Sequence, residues 1–345
     1  MKKKIKAYIL YRKNQKLKII NKLILPKPQK GQILVKIIFT SICKSQIMEI
    51  KGKRGKDFYL PHGLGHEGLA KVISIGPGVK KVKIGDKVIL TWIKSKGMNC
   101  KGIKINVKNK KNLNFGPITT FSTYSIVSEN RCVKKPLNLK DDLATFFGCS
   151  IPTGFGVVFN TIKKRNINCS IGIYGLGSVG FFSLIAAKCL KIKKIFVIEK
   201  NKDRCSLAKK LGAIVINLNK PKENILKFNN NKLLDFCYES AGYTKTIEKA
   251  FSLIHNQGVC YTSSHPSKKE ILKIDPHELI KGKKIFGSWG GFTNPDKDFI
   301  KYSIILNKNK KIVSKLKINK YTFLQINKAI IDFSRNRIIK PLIKC

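Results

Sequence analysis

The sequence predicts an α/β protein in two parts: a β-rich module, and a doubly wound parallel-sheet domain set between two portions of it. Three observations carry this reading. Short apolar strands separated by Gly, Pro and Lys fill the first 150 residues. From about residue 152 strand and helix alternate. A G-x-G-x-x-G turn joins the first of those strands to the first of those helices.

In the β-rich part, "ILVKIIFTSI", "GLAKVISIG", "DKVILTWI" and "TTFSTYSIVS" read as short strands, a spacing typical of an all-β, partly closed module. The Lys- and Asn-rich segment 94–116 reads as a long loop or excursion between two of them. In the second part, "CSIGIYG" is a short buried strand and "SVGFFSLIAAKCLK" a helix with few charges. "KKIFVIE" is the next strand, and "KDRCSLAKKLGA" a second helix closed by Gly212. The alternation continues through "LLDFCYES", "TKTIEKAFSLI", "GVCYTSS" and "KKIFGSW", as a parallel sheet covered on both faces requires. Past residue 292 the chain returns to helix and short strand, with a polar helix in "FLQINKAIIDFSRN".

Composition limits the function. The chain has 345 residues, enough for two domains, and a hydrophobic content of 43%, so disorder is not expected. No apolar run approaches the roughly 18 residues of a membrane span. The start, "MKKKIKAYILYRKNQ", has the charge of a signal peptide, but its apolar part is only "AYILY" and no small-residue cleavage site follows. A cytoplasmic protein is expected. Lys and Arg total 70 against 19 Asp and Glu, a net charge of +51. This charge is spread along the whole chain and is mostly Lys, whereas phosphate recognition favours clustered Arg. Specific nucleic-acid binding is therefore not expected, although nonspecific association with polyanions at low salt is. Ten scattered cysteines form no Cys-x-x-Cys pair, and most read as reduced, buried, small apolar residues.

The glycine turn is "GIYGLGSVG", with Gly175, Gly177 and Gly180 in place and Ser178 and Val179 opening the helix. The first glycine permits the turn, the second lets backbone approach a pyrophosphate, and the third lets helix pack on strand. The helix amino terminus then faces the phosphates. Glu199, nineteen residues after Gly180 at the end of the next strand, can accept hydrogen bonds from ribose hydroxyls and repel a 2′-phosphate. NAD is thus favoured over NADP, although Lys200 and Arg204 lie close enough to keep NADP in play.

A borderline metal such as zinc prefers thiolate and imidazole, and a catalytic site needs three protein ligands plus an open position. Cys43 in "TSICKSQ", His66 in "GLGHEG" and Cys149 in "FFGCSIPTGFG" are candidates. Their dispersed spacing is not diagnostic by itself, and each could equally be a core residue.

At these residues the chain resembles the zinc-dependent alcohol dehydrogenases of the medium-chain dehydrogenase/reductase family. "SICKS", "GHEG", "GDKVILTW", "GCSIPTG", "GLGSVG", "ESAG", "FGSWGG" and "INKAIIDFSRNRIIKPLI" stand in family order over nearly the whole length. The resemblance implies a chaperonin-10-like (GroES-like) catalytic domain over 1–151 and 292–345, and a Rossmann domain over 152–291. By the same resemblance Cys43, His66 and Cys149 would hold one catalytic zinc, with Glu67 as an occasional ligand or charge-tuning neighbour. Ser45 would pass the alcohol proton, Lys44 and Lys340 would lie near the cofactor pyrophosphate, and Thr153 would contact the nicotinamide. The implied activity is reversible hydride transfer between an alcohol and NAD, by a homodimer or homotetramer.

Several residues depart from the family pattern. Gln46 stands where relatives commonly carry an acid supporting the metal-bound histidine, and Met48 where some have a second relay histidine. Ala70 replaces a glycine, and "YTSSHP" lacks a glycine many relatives have near the nicotinamide. Segment 94–116 holds only Cys100, where many relatives have four cysteines, so no structural zinc is expected. His62, His255, His265 and His277 read as surface or core residues, His62 being close enough to the metal loop to touch substrate. Two rivals remain: a zinc-free quinone or enoyl reductase of the same superfamily, and a degenerate basic relative that binds nucleotide or nucleic acid without turnover.

Overall fold

A computed structural model describes residues 3–107, 111–162 and 168–345. The chain divides into two compact units: 1–149 with 294–307 and 317–345, and 150–293 with 308–316. Segment 308–316, expected with the first part, thus clusters with the second.

The first unit is built from strands β1 (Lys3–Leu10), β2 (Lys18–Leu25), β3 (Gln32–Thr40), β4 (His62–Gly63), β5 (Glu67–Ile75), β6 (Lys87–Thr91), β7 (Ile103–Ile105), β8 (Leu113–Phe115), β9 (Tyr124–Ser128) and β10 (Cys132–Lys134). One sheet runs β2-β1-β4-β8-β7. Its apolar face includes Ile5, Ala7, Ile9, Leu25, Ile105, Leu113 and Phe115. The other runs β10-β6-β5-β3 and continues into two strands from the distal part of the chain, with β9 also paired to β3.

Two features differ from the sequence expectation. β1 and β2 form a long hairpin in a region where Lys at every second or third position hides the alternation. Segment 94–116 is not structureless: β7 and β8 pair antiparallel within it and bury Ile103, Ile105, Leu113 and Phe115. Each is only three residues long, so the period-2 signal is too brief to read against the surrounding Lys and Asn. Residues 108–110 of that segment lie outside the described residues.

The second unit is a Rossmann-type parallel sheet. Its strands are β11 (Ser170–Tyr174), β12 (Lys194–Ile198), β13 (Ile214–Ile216), β14 (Leu234–Glu239), β15 (Ile254–Thr262) and β16 (Lys284–Gly287), in the order β13-β12-β11-β14-β15-β16. Every neighbouring pair is parallel. β11 is buried at all five positions, as expected of a strand covered on both faces. Helix Ser178–Cys189 follows β11 and buries Phe181, Phe182, Leu184 and Ile185. The helix expected over "TKTIEKAFSLI" stops at Ser252, and β15 already starts at Ile254, the last residue of that run. No helix among the described residues is long and apolar enough to cross a membrane.

After the second unit, β17 (Ile318–Thr322) and β18 (Lys340–Lys344) return to the first. β18 pairs antiparallel with β3 and parallel with β17. This places residue 340 beside residues from the opening segment of the chain. The polar helix expected near the end is Ile326–Ser334, which turns Ile326, Ala329 and Phe333 to the core.

Candidate metal centre and dinucleotide site

Three short segments of the first unit converge. Cys43 caps helix Lys44–Ile50, held there by its N–H donating to Gln46 Oε1 at 3.0 Å. His66 and Glu67 lead into β5. Glu67's carbonyl accepts from the Thr40 hydroxyl at 3.1 Å and the Thr120 hydroxyl at 3.3 Å, which ties this entry to β3. Cys149 arrives from helix Asp141–Phe146 through Gly148, where an added Cβ would stand 2.4 Å from Leu90 O and 2.5 Å from Glu67 Cα. Only glycine permits that approach.

The result is a Cys43–His66–Cys149 cluster whose ligand atoms all lie within 4.8 Å of one another, with 3.7 Å between the two sulfurs. The donor set is unbalanced on its own. The hydrogen bond from Cys149, then the nearby His66, hold the Cys43 thiol well below its usual range. The same hydrogen bond, reinforced by burial, pushes Cys149 well above it. Burial would lower His66, but the bond and charge of Cys43 outweigh that and raise it. His66 Nε2 is buried with no hydrogen-bond partner. A dication would satisfy all three donors together, and two thiolates plus an imidazole are what zinc prefers. The residues fit the metal.

Glu67 and Lys340 form the other charged pair here, both fully buried. The Lys340 ammonium donates to Glu67 Oε1 and lies 5.3 Å from the centre of the Phe146 ring. Burial raises the Glu67 pKa, with Lys340 acting against it, and Glu67 Oε2 has no partner. Removing either member would strand a buried charge at a cost of about 3–5 kcal/mol. Lys340, expected near a pyrophosphate, thus spends its ammonium on Glu67. Gln46, expected to accept from His66, instead turns its oxygen to the Cys43 N–H, leaving its own Nε2 unpartnered. Lys44 and Ser45 occupy the first turn of the same helix, Lys44 exposed and Ser45 half-buried.

A second group of ligand-type atoms, from Glu49, Asp57 and His62, also lies within 4.8 Å. Its imidazole is already engaged, Nε2 with Asp57 at 2.9 Å and Nδ1 with the Gly63 carbonyl at 3.0 Å. Cys100 belongs to no such group among the described residues and contacts the Lys30 carbonyl at 3.2 Å. Its loop is fastened by Glu129, which sequence reasoning passed over. Glu129 accepts from the N–H groups of Lys80 at 2.8 Å, Lys81 at 3.0 Å and Met98 at 2.8 Å. Burial would raise Glu129, but those bonds hold it below the usual carboxylate range.

In the second unit the glycine turn has the form a dinucleotide requires. Gly175 has φ +87°, and a Cβ at Gly180 would stand 2.0 Å from the Gly175 carbonyl. Gly177 caps helix Ser178–Cys189, and the space its Cβ would fill is open to 4 Å. Ser178 and Val179 form the helix's first turn. Glu199 directly follows β12 with its carboxylate facing this turn, accepting from Leu176 N at 2.6 Å, Lys200 N at 2.8 Å and Asn201 N at 2.9 Å. Arg204 Nη1 stands 3.9 Å from the same carboxylate. Lys200 is exposed, and Thr153 is buried in helix Ser150–Thr161. These residues fit a nucleotide cofactor.

Comparison with known proteins agrees with both halves. Residues 29–137 match the alcohol dehydrogenase GroES-like domain, and residues 178–304 match the zinc-binding dehydrogenase domain. The chain belongs to the medium-chain alcohol dehydrogenase family. Among its relatives, alcohol dehydrogenase 6 of Peromyscus maniculatus is 29% identical over 290 residues, 76% of this chain and 77% of that one. Alcohol dehydrogenase 6 of Rattus norvegicus is 28% identical over 312 residues, 82% of each chain. The crystal structure of benzyl alcohol dehydrogenase from Acinetobacter calcoaceticus superposes with a TM-score of 0.87 at 26% identity, covering 99% of each chain. A zinc-binding domain protein of the family from Burkholderia ambifaria, at 21% identity and a TM-score of 0.88, shares the fold over 100% of this chain and 99% of that one. As a member of this family the chain is an oxidoreductase, and its reaction is on small molecules.

Proposed function

We propose that this family member is a zinc- and NAD-dependent alcohol dehydrogenase, reversibly converting a primary or secondary alcohol or a polyol to the aldehyde or ketone. The observation that carries the reading is the meeting of Cys43, His66 and Cys149, which are far apart in the chain, in one cluster of half-buried and buried side chains. Zinc held there supplies a Lewis acid that lowers the pKa of an alcohol oxygen. NAD on the glycine turn supplies the hydride acceptor. The chain's own residues do the rest. Cys43, His66 and Cys149 fix the ligand geometry, and Ser45 takes and relays the hydroxyl proton. Glu67, balanced by Lys340, sets the local charge. Gly175, Gly177, Ser178, Val179 and Gly180 cradle the pyrophosphate, Glu199 holds the adenosine ribose, and Thr153 bounds the nicotinamide.

The working form we propose is a cytoplasmic homodimer or homotetramer. Edge strand β16 supports it, since Phe286 on it is 48% exposed and Trp289 just beyond it 68%. An open apolar sheet edge favours pairing with a second copy.

The test is metal analysis of the purified protein together with NADH formation from a panel of alcohols. One zinc per chain is expected, lost in Cys43→Ser together with turnover, while NADH binding persists. A metal-free, active protein would move it to the quinone or enoyl reductases. Glu199→Ala should relax the preference for NAD, read as the ratio of kcat/KM for NAD and NADP; an unchanged ratio removes Glu199 from that role.

A further inference from the structure

Glu239, the final residue of β14, has no part in the reading above. It is fully buried, and it forms no ion pair among the described residues. Its carboxylate instead faces five donors. Oε1 accepts from the Ala241 N–H at 2.8 Å, the Gly242 N–H at 2.9 Å and the Thr246 hydroxyl at 2.8 Å. Oε2 accepts from the Thr262 hydroxyl at 3.1 Å and from the Ser264 hydroxyl. One side chain thereby fastens the loop after β14, the first turn of helix Thr244–Ser252 and the loop after β15.

The loop after β14 is packed against the glycine turn. The Ser240 hydroxyl donates to the Gly175 carbonyl at 2.8 Å, and a Cβ on Gly175 would stand 2.8 Å from Ala241. The sheet reverses its winding between β11 and β14. Parallel sheets of this kind bind a dinucleotide outside the carboxyl ends of the strands at that switch point, one nucleotide on each side. β11 to β13, with the glycine turn and Glu199, form the adenosine side. The loops that Glu239 holds together belong to the other.

We propose that Glu239 is a positioning residue for the nicotinamide half of the cofactor, holding the 240–242 and 262–264 loops in the form that half requires. This rests on the dinucleotide reading above. An amide in its place can keep its oxygen on the Ala241 and Gly242 N–H groups, but its NH2 then faces the Thr262 and Ser264 hydroxyls, which must turn to accept, and the charge that strengthens all five bonds is lost.

The test compares binding of NADH, read by nicotinamide fluorescence, with binding of AMP, which occupies the adenosine side alone. Wild-type protein, Glu239→Gln and the milder Ser264→Ala and Thr262→Val are titrated with both. Glu239→Gln should weaken NADH by about tenfold or more and each hydroxyl variant by about threefold. AMP should stay within about twofold throughout. Unchanged NADH affinity, or equal weakening of NADH and AMP, overturns the proposal. If Glu239→Gln fails to fold, the two hydroxyl variants decide by the same criterion. Failure of wild-type protein to bind NADH is a different result, and it overturns the dinucleotide reading itself.

Discussion

Two places in the first unit fasten loops that are distant in sequence, and they do it by opposite means. At Cys43, His66 and Cys149, three soft or borderline donors are gathered, with the two sulfurs 3.7 Å apart and an imidazole nitrogen that has no partner. At the loop carrying Cys100, Glu129 joins residues 80, 81 and 98 through backbone N–H groups, aided by Lys81, which reaches Asp296 at 2.6 Å. The first arrangement could be completed by a cation; the second is complete as it stands. A carboxylate saturated by peptide N–H groups can do the tethering that a closed four-ligand metal site would do.

That contrast can be broken or sharpened by experiment. The largest effect should come from His66→Ala, which removes one of three ligands: turnover with any alcohol falls at least about a thousandfold, zinc is lost, and the NADH dissociation constant changes little. Equal loss of activity and NADH binding would dissolve the division between the units. Dialysis against a strong chelator should next lower the thermal midpoint of wild-type protein but not of His66→Ala, because only the former has a metal contribution to lose. A chelator shift of the same size in both would place the relevant ion elsewhere.

Glu129→Gln should cost about 1–3 kcal/mol in denaturant unfolding while leaving zinc content unchanged. The pH dependence follows from the sign of the shift. Glu129 is held below its unfolded value of about 4.3, so its contribution is full above that pH and disappears as pH falls through the lowered folded value. Wild-type and Glu129→Gln stabilities should therefore converge on acidification, and a gap that stays constant as the pH falls would refute the assignment. The smallest effect is expected from Cys100→Ser, within about 0.5 kcal/mol and with no change in metal content. Loss of zinc in that variant would mean that Cys100 is a ligand.

The two regions also differ in how far the sequence disclosed them. The glycine turn, the alternating strands and helices and the acid following β12 are local patterns, and each is short enough to be read within one window. The metal candidates could be named by residue type, but their convergence depends on strand pairing, in particular β3 with β5 and the tight passage at Gly148. Glu129 and Glu239 could not be found this way, because Glu129 is held by backbone N–H groups, which leave no mark in a sequence, and Glu239 by two such groups and three hydroxyls from separate loops. Glu239 stands in the quoted "ESAG", yet nothing in those four letters shows five donors converging on it. Lys340 was legible as a cation, but its burial against Glu67, 273 residues away, was not. β1 and β2 were missed because Lys3, Lys4, Lys6, Lys18 and Lys22 break up the apolar pattern, and β7 and β8 because three residues are too few to show it.

That span of 273 residues bears on the order of events during biosynthesis. Residues 150–293 are made before Lys340, so the nucleotide-binding unit can be folded while Glu67 still lacks its counter-charge. Until β18 joins β3, the acid beside Cys43, His66 and Cys149 lacks its buried counter-charge, and the surroundings of that cluster are more anionic than in the finished protein.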